Sequence, residues 1–578
     1  MTELTQKRLT FNSSENPVSL ADISADGKYL AYSDPAGIHV KLLSTGEERL
    51  IPKPAGVPAG TGWRLDSWFP DSTQLLAHTY EAGGGGGMWT VSILGQSPRE
   101  LRQGAVAALV GGVVSPEGTH IAFGPALGSL YYSREIWVMG IQGDNPQKVL
   151  ALGENEFFNA VRWSPDGQRL AYIRVRRSPE RNQSPWLVRC RASIEACDLK
   201  GTTRTVVVPD SDLTLSDLCW LPDGRMVYSR QESPGSSDSN LWQIGVDGRV
   251  GTPTGKPKRI THWAGSGIGW LSASADGKRL EFQKATFQAQ VYLGELAAGG
   301  TRMNPPRLLT NDEASDEPSA WTPDSKAVLF WFDRNGTSGI FKQEIGQDTA
   351  EAVVTGPQNA SLPRLASDGA WILYIESPRT VGPSTPLRLM RIPVIGGMPQ
   401  VVLETRNSLS FGCAPAPASL CEILEASQDE KQLTLTAFDP LKGRGNVLRT
   451  IEKEASTRYF GSGLAPDGST FAISRSYEAE IHIRLLSLSG GSDREIIVKG
   501  WPNGSGLDWS PDGKAFYLGS VSPQARTLLY VDLKGNVKVL WQCKGTGSNI
   551  WGVPSPDGRY LAILGSVTNS NVWMLEGF

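Results

Sequence analysis

Apolar and polar residues alternate with period two along most of this chain. Arg169-Leu170-Ala171-Tyr172-Ile173 and Tyr29-Leu30-Ala31-Tyr32-Ser33 show it clearly. Such alternation, rich in β-branched and aromatic residues, predicts strands half-buried on one face. Second runs follow after loops, as in Glu135-Ile136-Trp137-Val138-Met139 and Asn240-Leu241-Trp242-Gln243-Ile244. Glycine-containing turns (Gly140 to Gly143, Asp247-Gly248) lead into last strands such as Lys148-Val149-Leu150. No helical pattern of any length interrupts this order.

A short phrase punctuates the strands. Its clearest copies are Trp163-Ser164-Pro165-Asp166-Gly167, Trp509-Ser510-Pro511-Asp512-Gly513 and Pro554-Ser555-Pro556-Asp557-Gly558. An acidic residue recurs at 26, 71, 117, 166, 223, 276, 324, 368, 467, 512 and 557. Most steps are 44 to 57 residues, and the 99-residue step from 368 to 467 leaves room for an eroded copy near Cys413 to Gln428. Twelve units of one supersecondary element follow from that period. Pro-Asp-Gly suits a tight hairpin: Pro presets φ, Asp bonds its own turn and Gly accepts positive φ. Four short strands per unit make a small antiparallel sheet that buries both faces only when stacked against neighbours, as in a propeller. The recurrent Trp three residues before the Asp reads as blade-to-blade core, and the Asp as turn chemistry.

These units resemble the WD40-like (PD40) repeats of the TolB type, with pattern W-S-P-D-G-(K/R)-x-(I/L)-A-(F/Y). Trp163 to Tyr172 and Ile23 to Tyr32 fit it closely. The resemblance covers nearly the whole chain. In detail the chain is similar to the C-terminal propeller regions of bacterial Ser/Thr kinase or winged-helix regulators, without the effector domain. Lys7 to Pro17 is similar to the point where those propellers begin. The resemblance implies a fold, all-β with about twelve four-stranded blades, most simply two tandem six-bladed propellers. Residues 1–310 and 311–578 are the expected domains, with seven-plus-five as the other partition. It also implies a role in protein interaction or signal sensing, and it supplies no catalytic residue. The last unit stops after Asn571 to Leu575, its third strand, and the chain opens with an orphan strand, Gln6 to Thr10. That strand is expected to complete the last blade and tie the two ends together.

Composition narrows the classes. Fifty-six basic against 59 acidic residues, net −3, give no general pull toward nucleic acid or anionic membrane. No apolar run reaches the length of a membrane span, and Met1 to Arg8 contains no apolar signal segment. The expectation is a cytoplasmic, monomeric chain with a protein partner; a periplasmic location of the TolB kind is the alternative. Cysteines pull toward an oxidising compartment: Cys190 with Cys197 and Cys413 with Cys421 are local pairs, either disulfides or buried thiols.

Chemistry is sparse. There is no G-x-S-x-G elbow, no H-E-x-x-H, no C-x-x-C zinc spacing and no P-loop. Gly83 to Gly87 reads as a loop. His39 and His482, among five histidines, sit at matching repeat positions and read as structural. The expectation is therefore no catalytic, cofactor or metal residue and no enzyme, with a propeller hydrolase or lyase as the alternative. Two candidate partner-binding loops remain: a basic one carrying Arg174, Arg176, Arg177 and Arg181, suited to an acidic peptide or phosphate, and an acidic one carrying Asp312, Glu313, Asp316 and Glu317.

Overall fold

The structure, a computed structural model, describes residues 4–58, 61–80, 86–104, 111–125, 133–177, 190–211, 213–233, 238–311, 315–334, 337–378, 386–405, 408–427, 431–453, 458–476, 480–522, 525–544 and 549–578. These hold 47 strands and, among the described residues, no helix. Ten sheets are four-stranded antiparallel meanders in sequence order, and one sheet has seven strands.

The turn chemistry read from the repeat forms each hairpin. Ser164 Oγ donates to Asp166 Oδ1 at 2.6 Å, the Gln168 amide donates to the same oxygen, and the Arg169 amide donates to Ser164 Oγ. Ser24/Asp26, Ser274/Asp276, Ser510/Asp512 and Ser555/Asp557 repeat the first of these bonds. Gly167 stands at φ 68°, which a side chain would strain.

The first strands of the blades pack side by side and close two rings. In chain order they are Leu20–Ile23, Gly62–Trp68, Gly112–Val114, Glu156–Trp163, Leu215–Trp220 and Gly267–Ala273 for blades 1 to 6, with blade 6 returning to blade 1. Glu317–Trp321, Asn359–Leu365, Ser408–Cys413, Arg458–Leu464, Gly504–Trp509 and Trp551–Pro554 do the same for blades 7 to 12. The recurrent Trp is the inter-blade bolt. Its indole N–H donates to the inner-strand carbonyl of the preceding blade: Trp68 to Asp22, Trp163 to Val113, Trp509 to Gly463 and Trp321 to Val553. Apolar clusters lie between successive blades, for example Ala31, Ile38, Trp63, Leu65, Trp68 and Leu75 between the first two. Each such large side chain contributes about 1.5–3 kcal/mol by leaving water.

The rings are stitched by two long strands, Arg279–Ala297 and Tyr560–Glu576, paired antiparallel from Arg279 opposite Glu576 to Glu295 opposite Tyr560. The first half of Arg279–Ala297 pairs with the inner strand of blade 6, and its second half with Arg307–Leu308. Tyr560–Glu576 pairs first with Trp551–Pro554 of blade 12 and then, at residues 573–576, with Thr5–Arg8. The chain thus crosses to the second ring inside one strand and returns inside another, so a cut at residue 310 does not describe the connection. The repeat alone does not reveal this, because the exchanged strands have the ordinary alternating pattern. The opening strand does tie the two ends of the chain together, but in blade 6. The Leu9 amide bonds the Val572 carbonyl, and Thr10 Oγ1 and the Asn12 amide both donate to Asn571 Oδ1.

The eroded repeat is blade 9. Its hairpin lacks the Ser–Asp network and instead carries the disulfide Cys413–Cys421, a directly opposed pair on neighbouring strands. Cys190 and Cys197 are not joined to each other. They lie on one strand, Cys190–Asp198, about 23 Å apart at strand rise, far beyond disulfide reach.

Candidate functional site in the central shafts

Each inner strand carries one residue at the same register, four before the turn acid. In the first ring these are Asp22, Ser67, Val113, Arg162, Cys219 and Ser272. Some bond the next blade: the Trp68 amide donates to Asp22 Oδ2 at 2.7 Å, the Val114 amide to Ser67 Oγ and the Ile23 amide to Ser272 Oγ. Most inner strands also carry a bulge just upstream, which re-aims a side chain. Asp66 lies at the bulge between Leu65 and Ser67, and Asp217 at the one between Leu215 and Leu218.

Arg162 is the cation that meets these acids. It contacts Asp217 Oδ2 at 2.6 Å, and Asp217 also accepts the amides of Leu218 and Leu271. Asp22, three blades away around the ring, feels the same guanidinium. Glu281 reaches in from the second strand of blade 6 and accepts from Ser272 Oγ at 2.8 Å, while its Oε1 has no hydrogen-bond partner. Burial pushes Asp22 up to about 6, against the bonds from Trp68 and Ser272 and the charge of Arg162. Burial raises Asp217 against Arg162, and it raises Glu281 well above the carboxylate range, with Asp22 and Asp217 adding to the push. Nearby, His78 Nδ1 lies 2.8 Å from Asp66 Oδ1; both side chains are fully buried, and His78 Nε2 and Asp66 Oδ2 are without hydrogen-bond partners.

The second shaft repeats the scheme with other residues. Arg364 faces Asp508 across the ring at 4.0 Å and also donates to the Ser319 carbonyl. Glu422 lies opposite Gly412, as Glu281 lies opposite Ser272, and a Cβ at Gly412 would stand 3.5 Å from Glu422 Oε1. Burial pushes Glu422 up to about 8, tempered by Arg364, and raises Asp508 in the same way. Burial alone pushes Glu317 up to about 7.

The two loops chosen from sequence take other places. Arg174 and Arg176 lie within the strand Arg169–Arg177, and their charges are already matched: Arg174 by Glu156 and Glu195, Arg176 by Glu156 and Asp210. Arg177 ends that strand, and Arg181 lies outside the described residues. Asp312 and Glu313 also lie outside them, as do Gly83 to Gly85 of the glycine run. Asp316 is buried, and Glu317 begins the inner strand of blade 7. Sequence reasoning missed Glu281 and Glu422. The signal was present for Glu281, because Ala31, Ala122, Ala171, Ala472 and Ala562 occupy its place in other repeats. Among the described residues, no group of three or more His, Cys, Asp or Glu is arranged to hold a metal.

No protein-family model matches the chain. A stretch of 116 residues, 20% of the chain, is 33% identical to an uncharacterized protein of Agrobacterium fabrum and spans 39% of it. A structure assigned as TolB from Agrobacterium tumefaciens is similar to 49% of this chain over 99% of its own length, at 19% identity and TM-score 0.38. The tricorn protease is similar over 95% of this chain and 61% of its own, at 11% identity and TM-score 0.33. An oligogalacturonate lyase with manganese covers 79% and 99%, at 13% identity and TM-score 0.29. The structures similar to this chain are thus propeller proteins, in accord with its all-β blades. The expectation that the chain is not an enzyme is corrected at this point: proteases and lyases stand beside TolB among those structures, so missing sequence motifs do not exclude catalysis in a propeller.

Proposed function

We propose that this protein is a recognition propeller, serving ligand sensing or protein–protein interaction in bacterial signalling, with its charged shafts as the recognition sites. One observation carries the reading. In each ring a guanidinium, Arg162 or Arg364, is faced by carboxylates from separate blades, and fully buried carboxylate oxygens, Glu281 Oε1 and Asp66 Oδ2 in the first ring and Glu422 Oε2 in the second, are left without hydrogen-bond partners. A satisfied core would not leave such atoms, and strongly shifted groups cluster where proteins bind or react. The test is retention of a specific species from lysate by the wild type. Retention that is identical in Asp22→Asn/Glu281→Gln and Asp508→Asn/Glu422→Gln would sink the reading.

A second reading, catalysis in the first shaft, is favoured by the Asp66–His78 pair, whose geometry is that of an oriented general base. Turnover of the retained species that disappears in His78→Asn, with binding kept, would establish it. For location, the Cys413–Cys421 disulfide supports an oxidising compartment such as the periplasm. Cell fractionation that finds the protein only in the cytosol would refute this.

A further inference from the structure

We propose that the first shaft takes an organic cation, a protonated amine or guanidine whose charged head enters among Asp22, Asp217 and Glu281. The inference rests on the reading of the shafts as recognition sites and names the chemistry of what the first one holds.

The argument is one of charge and of unmet bonds. Asp22, Asp217 and Glu281 gather around the guanidinium of Arg162, and that guanidinium is committed to Asp217 at 2.6 Å. Asp217 is otherwise filled by two backbone amides. Glu281 is wholly buried, with Oε2 taken by Ser272 and Oε1 bare. On blade 2, Asp66 Oδ2 is also bare. Burial favours the protonated form of Glu281, so an occupant that donates to these oxygens takes the place of that proton, which leaves to solvent as the occupant binds. An ammonium offers three donors and a guanidinium five, each with the charge the shaft lacks. An anion would meet net repulsion, and a neutral polyol would leave the excess negative charge uncompensated. A bare metal ion is not what these carboxylates are arranged to hold. Arg162, which touches Asp217, keeps 22% of its side chain exposed. Carboxylates on separate blades suit a flat or branched head group that bridges them.

The experiment is calorimetric titration of the full chain with agmatine, which carries an ammonium and a guanidinium, and with succinate and glucose. Agmatine is expected to bind, more weakly as salt is raised, and its affinity is expected to fall about tenfold or more in Glu281→Gln and in Asp22→Asn. The exposed carboxylate variant Glu351→Gln should bind as the wild type does. Both shaft variants remove buried charge, and an unchanged circular dichroism spectrum checks that they fold. Agmatine binding that ignores these variants overturns the inference. Succinate or glucose binding that is sensitive to them, with agmatine silent, overturns the cation and keeps the shaft. Silence of all three probes overturns the cation proposal, and retention from lysate then decides the shaft reading separately.

Discussion

In the first ring the guanidinium of Arg162 lies 2.6 Å from Asp217, whose oxygens also take two amides, one of them from the next blade. In the second ring Arg364 stands 4.0 Å from Asp508, with 35% and 23% of the two side chains exposed. Both rings bury a glutamate at a position that other repeats fill with Ala, Val, Leu or Tyr. The difference is in how that charge is held. The first ring wires its acids into the contacts that close it. The second holds its guanidinium and aspartate loosely and braces its irregular blade with a covalent bond. One repeat can therefore give two shafts of similar composition and different response.

The largest effect expected is on the first ring alone. Deleting residues 1–11 removes the outer strand of blade 6 together with buried Leu9 and Thr10, a loss on the order of 5 kcal/mol. Hydrogen exchange should accelerate in blades 1 to 6 and leave blades 7 to 11 protected. Acceleration confined to blades 7 to 12 would contradict the strand exchange. Next, Arg162→Met strands buried Asp217 and should cost about 3–5 kcal/mol. Arg364→Met should cost at most about 1 kcal/mol, because the pair is 4.0 Å apart and both side chains are partly exposed. Equal losses in denaturant titrations would erase the contrast.

Glu422 sharpens it through pH. Its folded value is raised from the ordinary 4.5 to about 8 by burial, so the folded state holds that proton more tightly than the unfolded chain does. The associated stability is fully present below about 4.5 and is lost as pH rises through 8. The second ring should therefore weaken by about 5 kcal/mol over that span, and Glu422→Gln should flatten the slope of its melting temperature against pH. A slope that the variant leaves unchanged would assign the effect elsewhere. Removing the disulfide with Cys413→Ser/Cys421→Ser should cost about 2–3 kcal/mol, felt in the second ring.

The smallest effect concerns the N-terminal clasp. His39 holds Asp34 and Glu48 at 3.0 Å each, and Asp34 also accepts from Asn12. Burial alone would lower its pKa, but the bonds and charges of the two carboxylates outweigh that and raise it. Its contribution, about 1 kcal/mol, is present below the ordinary value of 6.5 and fades as pH rises through the raised one. His39→Gln should remove that dependence from the melting of the first ring.

Much of the fold was legible because the turn phrase states its own chemistry. Ser164, Asp166 and Gly167 read as a hairpin in sequence and form one, and the Trp read as inter-blade core bolts neighbouring blades. The crossing strands were not legible, since Arg279–Ala297 alternates like any strand and pairing partners are not written in periodicity. The shafts were half legible. Glu281 breaks the repeat at a position that is usually Ala, a signal visible without structure. Glu422 sits in the eroded copy, where no phrase marks the register. Arg174 and Arg176 misled because a basic run looks unpaired until the strands bring Glu156, Glu195 and Asp210 beside it.

The most direct test of the shafts as recognition sites is an affinity capture from the source lysate. Wild type and the Asp22→Asn/Glu281→Gln variant would be run side by side, with mass spectrometry of proteins and small molecules. The account predicts a species retained by the wild type and lost from the variant while the variant stays folded. The same species retained equally by both would contradict it.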